Sequence, residues 1–298
     1  MSSRLLLEDV VRSCHYLEYD KATDRKKNAD KLNNLIQNPQ VVLVLDEKSK
    51  TGKTKDGTYT AVFKAVQGYL FKESEATRSK WDTLTDSVQS TRTVKLNQIC
   101  TLLRLVSKTA VKNGPKLKCS EIVESILIIL KRNFQSKLFG KTYLDILTQD
   151  ILVHRKYVNQ ISLDQYKEFI AYCTKCFVDQ PPHLGSVQVA SVMKSLIDSV
   201  VMQFDPTKFH DLIDFFSKLV QIVRKSVQPT FIDHSLATLN KFIRWQAQAS
   251  KARVVLLGQE ILQTLVALIS SKKVGKTGFH LAVDICLFLV CMMFGREH

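Results

Sequence analysis

Glycine and proline are scarce in this chain, at 10 and 6 among 298 residues. So few turn-formers exclude a fold of many short strands, each of which needs its own turn. They favour long helices joined by short loops. Acid is also in short supply. Asp and Glu number 28 against 43 Lys and Arg, a formal charge of +15. Such a field attracts nucleic acid, acidic peptides or anionic membrane without choosing among them. The apolar run from Ile285 to Phe294 is well short of the roughly 20 residues that span a bilayer as a helix. No membrane partner is therefore expected. The apolar stretch near Met1 is interrupted by Glu8 and Asp9, and no cleavage-like small-residue site follows it, so a secretory leader is not expected. The 7 cysteines are odd in number and scattered, which predicts free thiols in a reducing compartment.

A hydrophobic content of 45% is enough to fold. Helical periodicity dominates. Leu7, Val10, Val11, Cys14 and Leu17 form a first stripe, and Val62, Phe63, Val66, Tyr69 and Leu70 form another. Residues 46–58 read as an exposed loop, and the polar stretch 73–92 reads as a mobile connection. Further helices are expected over Leu96–Val111, from a Ser120 cap to about Arg132, over Leu144–Val153 and Leu163–Val178, and near 185–203, 207–225, 230–249, 253–270 and 279–294.

About a dozen helices paired across short turns predict an all-α, HEAT-like solenoid, a right-handed α-α superhelix whose diverged units hide their period. A compact helical bundle is the rival on pattern alone. Three regions result: residues 1–45 with two N-terminal helices, 46–95 with partly disordered loops around one helix, and 96–298 with the repeats. The last helix, through Ala282, Ile285, Cys286, Phe288, Leu289 and Cys291 to Phe294, is apolar nearly all round. A solenoid end carries a polar face, so a following repeat is expected to cover this helix, and the chain reads as a truncated piece.

Motifs for chemistry fail one by one. Gly52-Lys53-Thr54 and Gly275-Lys276-Thr277 show the tail of a phosphate-binding loop, but Glu47 and Ser270 occupy the positions that need another glycine. Cys173-x-x-Cys176 shares an apolar helix side with Tyr166, Phe169, Ile170 and Phe177. It reads as small buried hydrophobes, because a structural zinc needs about four ligands and no second pair is near. The 7 histidines, including His154 and His183, form no dyad. Asp211 and Asp214 fit helix starts, where the macrodipole favours acid. No glycine-rich loop or Asp-Phe-Gly element of a kinase is present. No catalytic residue, metal or cofactor is expected in this chain. Basic segments at Arg25–Lys27, Lys48–Lys55, Lys112–Lys118, Lys131-Arg132, Arg155-Lys156, Arg224-Lys225 and Lys272–Lys276 read first as solvated faces. Aligned on one edge they would give a salt-sensitive DNA contact, without interleaved aromatics for stacking.

The segment Leu17 to Ile36 stands apart. Ala22, Ala29, Leu32, Leu35 and Ile36 form an apolar stripe at helical spacing, and Arg25 falls on it. A guanidinium on a burying face needs a partner. Asp9 and Glu18 are the candidates, so Arg25 is expected to pin two helices together. Lys26, Lys27 and Lys31 point to water or to a partner.

Leu17, Lys21, Asp24-Arg25-Lys26 and Leu32-x-x-Leu35-Ile36 together resemble the N-terminal motif of the ATM (ataxia-telangiectasia mutated) kinase family. Asp24 stands where that family usually has Glu, and Leu32 where it often has an aromatic. Pro115 to Cys119, Asp150-Ile151-Leu152-x-x-Arg155-Lys156-Tyr157, Asp214 to Lys218 and Leu257 to Leu262 are similar to the family in the same order.

The resemblance implies a non-catalytic N-terminal solenoid of a serine/threonine kinase, nuclear with some cytoplasmic presence, acting in double-strand-break response and telomere maintenance. It implies as partners the break-sensor complex containing nibrin, through its tail, the rest of the kinase chain, and DNA or chromatin through the basic surface. The possible partner-binding residues are Lys26, Lys27 and Lys31. A basic nucleic-acid-binding repeat protein and a transport-adaptor repeat protein are the alternatives.

Overall fold

The structure is a computed structural model. It describes residues 83–113, 119–132, 140–179, 185–271 and 273–295, together with Thr23, Lys27, Asp30, Lys31, Asn34 and Gln67. The described residues are helical, with no strand among them, which fits the expected all-α class. The chain divides into two units, Met1–Ser162 and Leu163–His298.

The first unit contains α1 (Asp86–Asn113), α2 (Cys119–Arg132), α3 (Gly140–Asp145) and the short α4 (Arg155–Val158). On α2, Ile122, Val123, Ile126, Leu127 and Leu130 form a buried stripe, while Glu124 and Lys131 lie outside it. That spacing is why this stretch is an amphipathic helix.

Three sequence expectations need correction here. Residues 86–92, expected in a mobile connection, form the first turns of α1, which therefore starts ten residues before Leu96. Ser120 lies inside α2 rather than at its cap. The first-turn N–H of Cys119 instead donates to Gln160 Oε1 at 3.0 Å. The helix expected over Leu144–Val153 is α3 followed by a π-helical turn, Ile146–Ile151, closed by Leu152 N–H donating to the Leu147 carbonyl at 2.8 Å. The wider turn leaves Ile146, Leu147, Asp150 and Ile151 all buried.

Among its described residues the second unit is three successive helix pairs: α5 (Leu163–Asp179) with α6 (Ser186–Gln203), α7 (Ile213–Lys225) with α8 (Pro229–Ala247), and α9 (Lys251–Ser270) with α10 (Lys276–Phe294). Alternate helices pack: α6 on α8, α8 on α10, α5 on α7 and α7 on α9. Pro229 at the start of α8 occupies a position with no intrahelical N–H partner to lose.

The helix expected over 207–225 is broken. Asp205 Oδ1 accepts from the N–H and the hydroxyl of Thr207 and starts a 3-10 segment, Pro206–Leu212, before α7. Phe209 leaves helical geometry at φ −127°, ψ 27°. Its fully buried ring lies 5.9 Å from Phe204 and 5.7 Å from Trp245. Packing of that ring decides the break.

By length and composition α9 and α10 could each cross a membrane. Each carries a carboxylate part-way along, Glu260 and Asp284, bonded to the preceding pair's helices. Such charges are expensive in lipid. On α10, Ala282, Ile285 and Leu289 are buried, whereas Phe279, Leu287, Val290 and Phe294 are exposed.

Candidate functional site

Of the N-terminal motif, Leu17, Lys21, Asp24, Arg25, Lys26, Leu32, Leu35 and Ile36 lie outside the described residues. Lys27 and Lys31 are helical and exposed, and so are Thr23, Asp30 and Asn34. These five share one side of a helix turning 100° per residue. The basic segment 48–55 is also outside the described residues, whereas Lys131, Arg155, Arg224, Lys225, Lys273 and Lys276 are exposed.

In the first unit a part-buried ion cluster, centred on the buried Asp150, ties α1 to the π-helical turn. Arg104 Nε donates to Asp150 Oδ2 at 2.7 Å, and its Nη2 donates to Gln149 Oε1 at 2.7 Å. Its Nη1 lies 3.4 Å from Asp145. Asp150 is 4% exposed. Burial raises its carboxyl above the ordinary range, partly opposed by the hydrogen bond and charge of Arg104.

In the second unit, polar ties link alternate helices. Ser217 Oγ donates to Glu260 Oε2 at 2.7 Å, and Gln221 Nε2 donates to Glu260 Oε1 at 3.1 Å, joining α7 to α9. These donors hold the Glu260 carboxyl below its usual range. Lys241 on α8 donates to Asp198 on α6. Asn240 and Arg244 on α8 both donate to Asp284 on α10 at 2.8 Å, and the Arg244 guanidinium lies over the Phe288 ring at 4.5 Å. Asn240 first and Arg244 second lower the Asp284 carboxyl. The tied positions are 39 to 44 residues apart in every case.

A groove of about 640 Å³ opens between the end of α5, the start of α6, α7 and the turn into α8. Phe177, Ile222 and Phe231 contribute apolar surface, Val178 and Val227 are exposed beside them, and Lys218 and Lys225 bring charge from α7. A second pocket of about 430 Å³ lies beside Arg104 and Lys108, with Cys100 among its lining residues.

Other candidates resolve into structure. Cys173 and Cys176 are buried on α5, and burial pushes both thiols up, Cys176 to about 12. The six described cysteines are free. Gly275 precedes α10 with extended ψ, and its neighbour is Pro229 at the start of α8, 3.9 Å from where a Cβ would stand. Gly52-Lys53-Thr54 lies outside the described residues. Asp211 is in the 3-10 segment, 3.8 Å from Lys167, rather than at an α-helix start.

The family model for telomere-length maintenance and DNA damage repair matches residues 10–167, just over half of the chain. The chain belongs to this family. It is 32% identical over 263 residues, 88% of its length, to the serine-protein kinase ATM of Sus scrofa. It is 22% identical over 222 residues to the serine/threonine-protein kinase ATM of Drosophila melanogaster. The chain spans only 8% of each of these relatives.

Of the ATM-like segments beyond the N-terminal motif, residues 115–118 lie outside the described residues and the others have structural roles. Asp150 holds Arg104, and Ile151, Leu152 and Tyr157 are buried. The stretch from Asp214 to Lys218 meets that from Leu257 to Leu262 through the Ser217–Glu260 bond. Gly258 leaves room for Met293 and Leu289, 3.4 and 3.6 Å from where a Cβ would stand.

Sequence reasoning missed Arg104. No apolar stripe marks it, because its helical neighbours three and four residues away are Cys100, Thr101, Ser107 and Lys108, so the anomaly that singled out Arg25 is absent here. It also missed the groove, whose walls come from three separated stretches of chain.

Proposed function

We propose that this chain is a non-catalytic part of a HEAT-like, right-handed α-α solenoid. It would belong to an ATM-like serine/threonine kinase of the nucleus, present to some extent in the cytoplasm, in double-strand-break response and telomere maintenance. Its job is to help bring the kinase to a nibrin-containing recruiter and to chromatin. The observation that carries the solenoid is the tie spacing of 39 to 44 residues between alternate helices, close to a HEAT unit of about 40–47 residues. A compact bundle has no reason to keep its ties within so narrow a range of offsets. The open apolar side of α10 suits one more helical layer, since exposed patches of this kind mark interaction surfaces.

Lys26, Lys27 and Lys31 are the proposed recruiter contacts, with exposure of Lys27 and Lys31 in support. Arg25 organises the first helix pair. The test is calorimetric binding of the nibrin tail peptide to the chain and to a Lys26→Ala/Lys27→Ala variant of equal helicity. Weaker binding by the variant supports the recruitment surface. Undiminished binding moves the recruiter elsewhere, and absence of binding to either chain refutes the reading for this segment. Chromatin contact through the basic turns predicts affinity that falls steeply with salt.

A further inference from the structure

The groove beside α7 has a chemistry of its own. Lys218, Ile222 and Lys225 stand at positions i, i+4 and i+7, so one side of α7 presents an apolar residue between two cations. The rings of Phe177 and Phe231 meet edge to face at 5.9 Å and are almost wholly buried, so they close the groove from below. Val178 and Val227 are 65% and 71% exposed at its sides. Exposed valines flanking an apolar floor are unfavourable in water and favour an occupant that covers them.

We propose that this groove docks an acidic peptide segment that inserts one bulky apolar side chain between Lys218 and Lys225. This deepens the scaffold reading above by naming the chemistry of a partner. Charge selects the occupant. The charged residues lining the groove are Lys218 and Lys225, both cationic, whereas Asp179 at the end of α5 and Glu260, whose oxygens are already engaged by Ser217 and Gln221, lie outside its lining. A second copy of a chain carrying +15 is disfavoured at a lysine-flanked groove. Nucleic acid would find cations but no open ring face on which a base could stack. An extended or helical peptide uses both the apolar floor and the charged wall.

The experiment selects a random linear-peptide phage library on the whole chain. It then measures the enriched peptides by fluorescence polarisation against wild type, Lys218→Glu/Lys225→Glu and Val178→Asp/Val227→Asp. All four positions are exposed, so both variants should keep wild-type circular dichroism. The expected result is enrichment of Asp- or Glu-rich peptides with one aromatic or large aliphatic residue, and at least about a tenfold loss of affinity in each variant. No such enrichment, equal binding to the variants, or displacement by an oligonucleotide at equal concentration overturns the proposal. The nibrin tail is measured alongside. Its failure to bind any form of the chain counts against the scaffold reading and leaves a groove-dependent peptide result standing. Its binding undiminished by the groove variants leaves the scaffold reading intact.

Discussion

Replacing Arg104 with Met is the sharpest test of the first unit. The substitution keeps most of the aliphatic volume and removes the guanidinium, leaving Asp150 at 4% exposure without its main partner. Removing one partner of a buried pair is destabilising by about 3–5 kcal/mol. Arg104 is itself 17% exposed, and water can reach part of the vacated space, so the lower end applies, about 3 kcal/mol. For a unit of this size that corresponds to a fall in Tm of roughly 6–12 °C.

The pH dependence has a definite sign. Burial raises the folded-state pKa of Asp150, so its contribution is fullest below the unfolded value of about 3.9 and is lost as pH rises through the folded value. Arg104 opposes that rise. Without it the folded pKa moves further up, and the variant loses most at neutral pH and regains part of the deficit on acidification. Thermal unfolding of wild type and Arg104→Met at pH 7 and pH 5, followed by circular dichroism, reads both effects. A deficit below about 1 kcal/mol at pH 7, the range of a surface pair, or a deficit that grows toward pH 5, would refute this account of the cluster.

In the second unit, the lowered carboxyls of Glu260 and Asp284 contribute above their unfolded pKa values, and that contribution is lost as pH falls through the folded ones. Protection factors in α9 and α10, taken relative to the intrinsic exchange rate at each pH, should therefore fall on acidification below the ordinary carboxylate range, and unchanged protection there would count against the ties. Phe216→Ala removes a ring stacked on Phe242 at 4.0 Å and 1% exposed, and should cost about 3–5 kcal/mol in urea unfolding. Gly278→Ala places a methyl 2.6 Å from Asp233 Oδ1 and 2.7 Å from Val274 Cγ1, and should destabilise the α8–α10 contact by about 1–3 kcal/mol in the same assay. In a Cys14→Ser chain, brief maleimide labelling read by peptide mass should modify exposed Cys291 well before buried Cys119, Cys173 and Cys176, whose thiols burial raises.

Helix-dominated architecture and most helices of the second unit were legible because stripes such as Phe169, Ile170, Cys173, Cys176 and Phe177 repeat at helical spacing and are buried on one side. The π-helical turn at Ile146 and the break at Phe209 were not legible. Both keep an apolar pattern close to helical, and what decides them is contact with residues distant in the chain. Asp150 answers Arg104 from 46 residues away, and Phe209 packs on Trp245. The start of α1 was missed because residues 86–92 are polar apart from Val88 and show no stripe. The groove was half visible: Lys218, Ile222 and Lys225 can be read as one helix side, but only packing brings Phe177 and Phe231 to them.

The narrow spread of tie offsets, 39 to 44 residues, also says where this chain can change length. A residue gained or lost in the turn at Ser226–Gln228 leaves the helices on either side of it in phase with their neighbours. One inserted early in α8 turns the rest of that helix by about 100°. Lys241 would swing from Asp198, and Asn240 and Arg244 from Asp284, in a single step. Relatives of this chain should therefore differ in length at their turns and keep helix lengths fixed, as a rack keeps its tooth spacing while its mountings vary.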